Sequence, residues 1–224
     1  MSGSPFTLVR VRRARRGVPN TETRHPGTYA HGVTGPDDVP VEFVSALRSL
    51  RGVRMRPEIT LEEVPGPARI APFTAAITAE VRSARRTVAA AELASGRFVV
   101  LHDPQGQEAW EGRFRLVTLV RATLEHEVGD DPLLAEVAWS WFIDALEGAG
   151  LDPHAAGGTV TRVLSQSFGA LEVRAEQTEL EIRASWTSHS EDLGPHLQAW
   201  ATLLCAAAGL PPLPDGVVPL GPRH

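Results

Sequence analysis

The sequence predicts an α+β protein in which helices pack on a five-stranded antiparallel sheet, in the order αβββαββα. Residues 73–82 and 178–187 alternate apolar and polar side chains, which is the pattern of a half-buried strand. Short turn signals separate several predicted strands and favour antiparallel pairing. Three other segments carry apolar residues at helical spacing, so helices are expected to cover the sheet.

The first predicted helix spans residues 41–51, where apolar residues recur at helical spacing and Gly52 follows as a stop. Residues 53–70 contain three prolines and three glutamates, which predicts an extended connector with room for one short edge strand. Residues 73–82 form the first of the five counted strands.

A hairpin is predicted next. Ser95-Gly96 is interpreted as a turn, residues 97–102 as the second strand, and residues 110–124 as the third. Between them, the segment 103–106 (Asp-Pro-Gln-Gly) has the composition of a tight turn, with Pro second and Gly fourth.

The predicted helix at 131–148 has the clearest boundary signals. Asp131 is a candidate N-cap, Pro132 suits the first helical position, and Gly148 marks the end. Apart from one narrow polar stripe the helix is apolar, which exceeds what a helix resting on a single sheet needs. We therefore expect it to be sandwiched inside the domain or buried against a second copy of the chain.

The last predicted elements are strands at 159–168 and 178–187 and a helix that begins near Pro195 and stops at Gly209. The resulting domain prediction is a disordered extension over 1–39, one α+β domain over 40–212 and a flexible tail over 213–224.

Net charge, cysteine count and the length of apolar runs exclude several classes of protein. The net charge of -5 and pI of 5.9 give no overall attraction to nucleic acid or anionic membranes. The single cysteine, Cys205, excludes an intramolecular disulfide and a cysteine-based metal cluster. No apolar run has the length of a signal peptide or membrane helix, so a cytoplasmic protein without membrane contact is expected.

One group of candidate chemical residues flanks the tight turn. His102, Asp103, Glu108 and Glu111 would suit acid–base or metal chemistry if they converged. Their spacing matches no ligand pattern, and the favoured interpretation is that they close the turn, with Asp103 bonding to the backbone. A second group, Glu125, His126 and Glu127, is interpreted in the same way as a solvated loop.

No residue is assigned a catalytic role, and no cofactor or metal site is predicted, because the chain has no phosphate-binding loop and no nucleophile elbow. The candidate binding residues are the four side chains between His102 and Glu111 together with two tryptophans and two arginines. Trp110 and Trp139 are the better surface tryptophans, whereas Trp141, Trp186 and Trp200 are expected in the core.

Arginines form the other binding candidates. Arg113 and Arg115, near Arg121, would bind an acidic peptide or phosphate, but cross-strand pairing with residues such as Glu179 and Glu181 is favoured. All 22 basic residues are arginine, a bias that points first to genome composition. The run from Arg10 to Arg16 is accordingly favoured as incidental over a nucleic-acid-binding arm.

Several blocks of the chain resemble a known family. They are HDPQGQEAWEGRFRLV, DPLLAEVAWSWFIDAL, GTVTRV, EIRASWT and AWATLLCAAAGLPP, which begin at residues 102, 131, 158, 181 and 199. Over about residues 41–215 the chain is similar to the actinobacterial domains of unknown function called DUF3000. The resemblance implies a cytoplasmic actinobacterial protein and supplies no activity, cofactor or catalytic residue.

The leading functional hypothesis is a non-enzymatic, homodimeric module that binds a protein or peptide. It depends on the apolar helix at 131–148 and the two candidate surface tryptophans. One alternative is an RNA-associated accessory protein that uses the arginines. The other is a small-molecule enzyme built on the turn from His102 to Glu111.

Overall fold

The computed structural model describes residues 39–83, 92–124, 126–169 and 177–212. Its six strands are β1 (Ile59–Val64), β2 (Phe73–Arg82), β3 (Glu92–Gln107), β4 (Gly112–Leu124), β5 (Gly157–Ser165) and β6 (Gln177–Ser188). Its helices are α1 (Val41–Arg51), the single turn α2 (His126–Gly129), α3 (Leu134–Gly148) and α4 (Gly194–Ala207). Every strand pair is antiparallel, and the spatial order is β1-β2-β3-β4-β6-β5.

The main core lies on one face of this sheet. Alternate residues of the central strands, among them Ile77, Phe98, Leu116 and Trp186, form one cluster with buried side chains of α1, α3 and α4. We call this helix-covered side the inner face. The α+β class and the antiparallel helix-covered sheet are therefore confirmed.

The prediction of five strands was wrong by one. The additional strand is β1, which lies in the proline-containing connector and pairs with β2 from Ile59↔Val81 to Val64↔Ala76. Prolines at 57 and 65 flank β1 without interrupting it, so their presence did not exclude a six-residue edge strand.

Strand β3 is also longer than predicted, because Ser95-Gly96 lies inside it and does not form a turn. Gly96 is paired with Val120 on the inner face. A Cβ added at Gly96 would lie 2.9 Å from the side chains of Trp200 and Leu204. The glycine thus permits α4 to approach the sheet closely, which is a packing requirement and not a turn signal.

Helix α3 begins at Leu134, three residues after the candidate N-cap Asp131. Asp131 still accepts a hydrogen bond, from the Leu133 N–H to Oδ1 at 2.8 Å, and so forms the turn that leads into the helix. Leu133 and Val137 are 54% and 39% exposed. The surplus apolar surface is therefore not fully sandwiched within the described part of the chain.

A second, smaller apolar cluster lies on the other side of the sheet, which we call the outer face. It contains Ala71, Ala76, Val99, Leu101 and Trp110. None of the described helices is both long and apolar enough to cross a membrane.

Candidate functional site

The last part of β3 is irregular and is built around Asp103, so the prediction of a tight turn at 103–106 was wrong. β3 continues to Gln107, its pairing with β4 is interrupted between His102 and Gln107, and the chain reverses at the 3-10 turn 108–110. The Gln105 N–H donates to Asp103 Oδ1 at 3.1 Å, and Gln107 Nε2 donates to Oδ2 at 3.3 Å. The expected bond from Asp103 to the backbone is therefore present, but it lies within β3. The carboxylate is buried, and both of its oxygens accept hydrogen bonds from this segment.

His102 precedes Asp103 in β3, is fully buried and stacks on aromatic rings. Its centroid lies 4.3 Å from that of Phe114 and 5.6 Å from that of Phe43. No hydrogen bond of ordinary geometry reaches either ring nitrogen within the described residues, and Glu42 Oε1 is 3.7 Å from Nε2. Burial lowers the pKa of His102, and the negative charge of Glu42 and the backbone of Arg113 oppose this only in part.

The four candidate residues between His102 and Glu111 do not assemble into one site. His102 faces Glu42, Asp103 accepts hydrogen bonds within the end of β3, and Glu108 is exposed. Glu111 contacts His154, with Glu111 Oε2 3.1 Å from His154 Nε2. No hydrogen bond or ion pair joins any two of the four within the described ranges. No cluster of three metal-ligating side chains occurs there either.

The contact of Glu111 belongs to a polar cluster that the sequence did not reveal. The rings of His154 and His189 lie 4.6 Å apart between centroids, and Glu111 binds the first of them. Arg115 lies behind this cluster, where the charge of Glu111 also acts on it. Residues 111, 154 and 189 are far apart in the chain and share no motif, so no local pattern could have grouped them.

Arg115 is half-buried, and within the described ranges its side chain donates only to uncharged oxygens. Its Nη1 donates to the Ala155 carbonyl at 2.9 Å and to Thr187 Oγ1 at 3.0 Å, and its Nη2 donates to Ser185 Oγ at 2.7 Å. Burial lowers its pKa, and the charge of Glu111 opposes the shift. Arg115 therefore fixes the loop before β5 to the outer face of the sheet.

The expected pairing of Arg113 and Arg115 with Glu179 or Glu181 was wrong. Arg113 Nη1 lies 3.3 Å from Glu42 Oε1, at the end of the sheet. It is Arg121 that pairs with Glu181, at 2.7 Å, directly across the β4–β6 ladder. The hydrogen bond from Arg121 lowers the pKa of Glu181, as expected for a cross-strand ion pair.

The tryptophans divide differently from the prediction. Trp110 is buried on the outer face, so the expectation that it is a surface residue was wrong. A 3-10 turn at 108–110 carries it back over the sheet, and the Thr187 hydroxyl donates to its carbonyl. Trp186 and Trp200 are buried as predicted, whereas Trp139 and Trp141 are half-buried at the edge of the main core.

A buried polar chain links β6 to α4. Trp186 Nε1 donates to His196 Nδ1 at 2.9 Å, and His196 Nε2 lies 3.0 Å from Ser188 Oγ. Burial lowers the pKa of His196 to about 4, against a weaker opposing effect of Asp192. His196 is thus a neutral structural residue near pH 7.

The outer face carries two open depressions of about 420 and 460 Å³ that share Glu92, Ser95 and Arg121. Together they cross all six strands. Their lining contains both carboxylates and guanidinium groups, and the Arg121–Glu181 pair lies within them. The depression beside the sheet edge reaches Thr161 and Val163 of β5.

Strand β5 is the most exposed regular element of the described chain. It is the last strand of the sheet, and eight of its nine residues are exposed, on both faces. Val163 and Leu164 are 46% and 50% exposed, and Phe168 just beyond the strand is 77% exposed. An edge strand has a row of backbone N–H and C=O groups that no neighbour satisfies.

The single charged side chain of β5 does not protect this edge. Arg162 Nη1 donates to the carbonyls of Gly129 and Asp131, at 3.1 and 3.0 Å, and so ties β5 to the α2–α3 connection. At the start of the strand, a Cβ added at Gly158 would lie 2.9 Å from Trp139 Cζ3. The Trp139 ring therefore lies over the inner face of β5.

Two predicted clusters cannot be compared with the structure. Glu125 and the run from Arg10 to Arg16 lie outside the described residues, as do the side chains of His126 and Glu127.

The described elements define an α+β protein with a six-stranded antiparallel sheet, helices on its inner face and a bare edge strand. The model of a family described as "Protein of unknown function (DUF3000)" matches residues 39–218, and the chain belongs to that family. This confirms the resemblance of its sequence blocks. No curated protein and no solved structure matches the chain.

Proposed function

We propose that this protein is a non-enzymatic protein-binding module that takes up an extended segment of its partner by strand addition to β5. The observation that carries the proposal is the exposure of β5 on both faces along nine residues. In strand addition, main-chain hydrogen bonds supply affinity and alternate side chains supply selectivity.

The length of β5 suits this mode of binding. Nine residues at about 3.4 Å each extend for roughly 30 Å, longer than most strands of globular proteins. In antiparallel pairing, an added segment can exchange hydrogen bonds with every second residue of β5. The exposed Val163 and Leu164 lie on opposite faces, so both faces of an added strand would find apolar contact.

The composition of β5 also supports the proposal. Edge strands are commonly protected by lysine, proline or an inward-pointing charge. β5 contains no proline and no lysine, and its arginine is engaged with backbone carbonyls of the same chain. Three of its eight exposed residues, Thr159, Thr161 and Val163, are β-branched types that fit the pleated surface of a sheet.

The proposal is tested with a displayed library of random decapeptides selected on the full-length protein. We expect enriched peptides to alternate β-branched or aromatic residues with polar ones. Their affinity should fall at least about tenfold in the Val163→Lys variant, because a charge is placed on the edge strand. Val137→Lys, at a valine of similar exposure on α3, serves as the matched control and should bind normally.

Two results would contradict strand addition at β5. One is a set of selected peptides that binds Val163→Lys as tightly as wild type. The other is loss of binding in Val137→Lys with full binding in Val163→Lys, which would place the binding surface on α3.

A further inference from the structure

We infer that the extended segment that pairs with β5 is β5 of a second copy of this chain, so that two sheets join into one twelve-stranded antiparallel sheet. This inference rests on the proposed function, because it names the occupant of the same edge. It follows from the symmetry, charge and side-chain sizes of β5 taken together.

Symmetry restricts how two copies can meet at this edge. A twofold axis perpendicular to the sheet makes β5 antiparallel to its counterpart and places both helix layers on the same side. Directly opposite residues must then share a face. Inner-face residues such as Gly158 and Leu164 therefore oppose inner-face residues, and outer-face residues such as Thr161 oppose outer-face ones.

Among the permitted registers, the one centred on Thr161 pairs all nine residues. Centring the axis on Arg162 would place two guanidinium-bearing residues opposite each other, which is unfavourable. Centring it on Val160 would place residue 165 opposite Ala155, whose φ of 48° is not extended. With Thr161 on the axis, Arg162 opposes Val160, so no two charged residues face each other.

The inner face supplies the specific contact of this register. Gly158 opposes Leu164 of the second copy. Because Gly158 has no side chain, the Trp139 ring of the same chain lies directly over it, with Cζ3 2.9 Å from a Cβ built on Gly158. Leu164 is half exposed in the single chain and would pack against the half-buried Trp139 of the other copy, twice per dimer.

The outer face is compatible with the same register. Thr161 opposes its own symmetry mate, and Thr159 opposes Val163. Cross-strand pairs of β-branched residues stabilise antiparallel sheets. The depression beside β5, which Thr161 and Val163 line, would then continue across the joint into the second copy.

The inference is tested by light scattering coupled to size-exclusion chromatography on the full-length chain. Wild type should have twice the chain mass of 24.1 kDa at micromolar concentration. Leu164→Asp should raise the dimer dissociation constant at least about tenfold, because it removes both apolar contacts with Trp139. Leu133→Asp, at a similarly exposed leucine directly before α3, is the matched control and should remain dimeric.

Cysteine cross-linking tests the register and does not depend on the stability of Leu164→Asp. Thr161→Cys should form a disulfide-linked dimer on oxidation, because opposite Cα atoms lie about 4.5 to 5.5 Å apart. Thr159→Cys should not, because residues 159 of the two copies are separated by about 14 Å along the strands. The native Cys205 is buried and provides the background control.

A monomeric wild type at 100 µM, a dimer unaffected by Leu164→Asp, or cross-linking of Thr159→Cys but not Thr161→Cys would each overturn the inference. A monomer that still binds library peptides through Val163 would leave strand addition standing with a different partner. A monomer that binds no such peptide would remove both proposals.

Discussion

Acidification is expected to destabilise this fold through His196. The imidazole is buried, accepts the Trp186 indole N–H and lies beside Ser188 Oγ, and burial lowers its pKa to about 4. A histidine in the unfolded chain has a pKa of about 6.5. Below that pH the unfolded state therefore takes up a proton more readily than the folded state does.

The direction and size of the change in folding stability follow from the difference between the pKa of His196 in the folded and in the unfolded chain. The contribution of His196 to stability is fully present above about pH 6.5 and is lost as the pH falls toward 4. At about 1.4 kcal/mol per pKa unit, the complete loss is on the order of 3 kcal/mol. Such a loss is a large fraction of the 5 to 15 kcal/mol that stabilises a typical domain. The lowered pKa of His102, caused by its burial, acts with the same sign.

The measurement is urea unfolding followed by tryptophan fluorescence between pH 4.5 and 7.5. In His196→Asn the amide oxygen can still accept from Trp186, but the side chain no longer titrates. We expect this variant to be less stable at pH 7.5 and to lose less stability on acidification than wild type. His189→Asn makes the same exchange at an exposed histidine and is the matched control. An unchanged pH dependence in His196→Asn would refute the reasoning.

Two further substitutions test individual contacts. His102→Leu replaces a buried ring, whose two nitrogens make no ordinary hydrogen bond, by an apolar side chain of similar size. The free energy of unfolding at pH 7.5 should therefore rise by about 1 kcal/mol. A clear loss of stability would show that the ring nitrogens have a partner. Arg115→Gln removes the hydrogen bond to the Ala155 carbonyl and should lower the free energy of unfolding by about 2 kcal/mol. Hydrogen exchange at residues 152–156 should accelerate, and unchanged exchange would refute the role of Arg115 in holding that loop.

The sequence correctly predicted those helices and strands whose boundaries are set by residues close to them in the chain. Helix α1 and strand β2 have the predicted bounds, because one is stopped by Gly52 and the other alternates cleanly over ten residues. The inward face of β6, with Ile182 and Trp186, was also predicted correctly. In these segments the periodicity of the sequence and the burial in the structure coincide.

The errors arose where contacts distant in sequence decide the structure. Gly96 looked like a turn residue, but it is a strand residue that makes room for α4, about 100 positions later. Trp110 looked exposed because its partners Ala76 and Val99 lie on other strands. The bond from Arg115 to Ala155 joins residues 40 positions apart, and no local pattern encodes it.

The contrast between the two edges of the sheet is the strongest argument that β5 is covered by another chain. β1 is short, is followed by prolines 65 and 67, and carries Glu62 on its outer face. Its Glu63 has a buried carboxylate oxygen, and inward charges of this kind oppose strand addition. β5 is half as long again and has no such device, since its one charge is bound to its own chain. When one edge of a sheet is protected and the other is bare, two copies can pair through their bare edges about a twofold axis. The outer edges of the joined sheet are then both protected β1 strands, so no third copy is added and the assembly ends at the dimer.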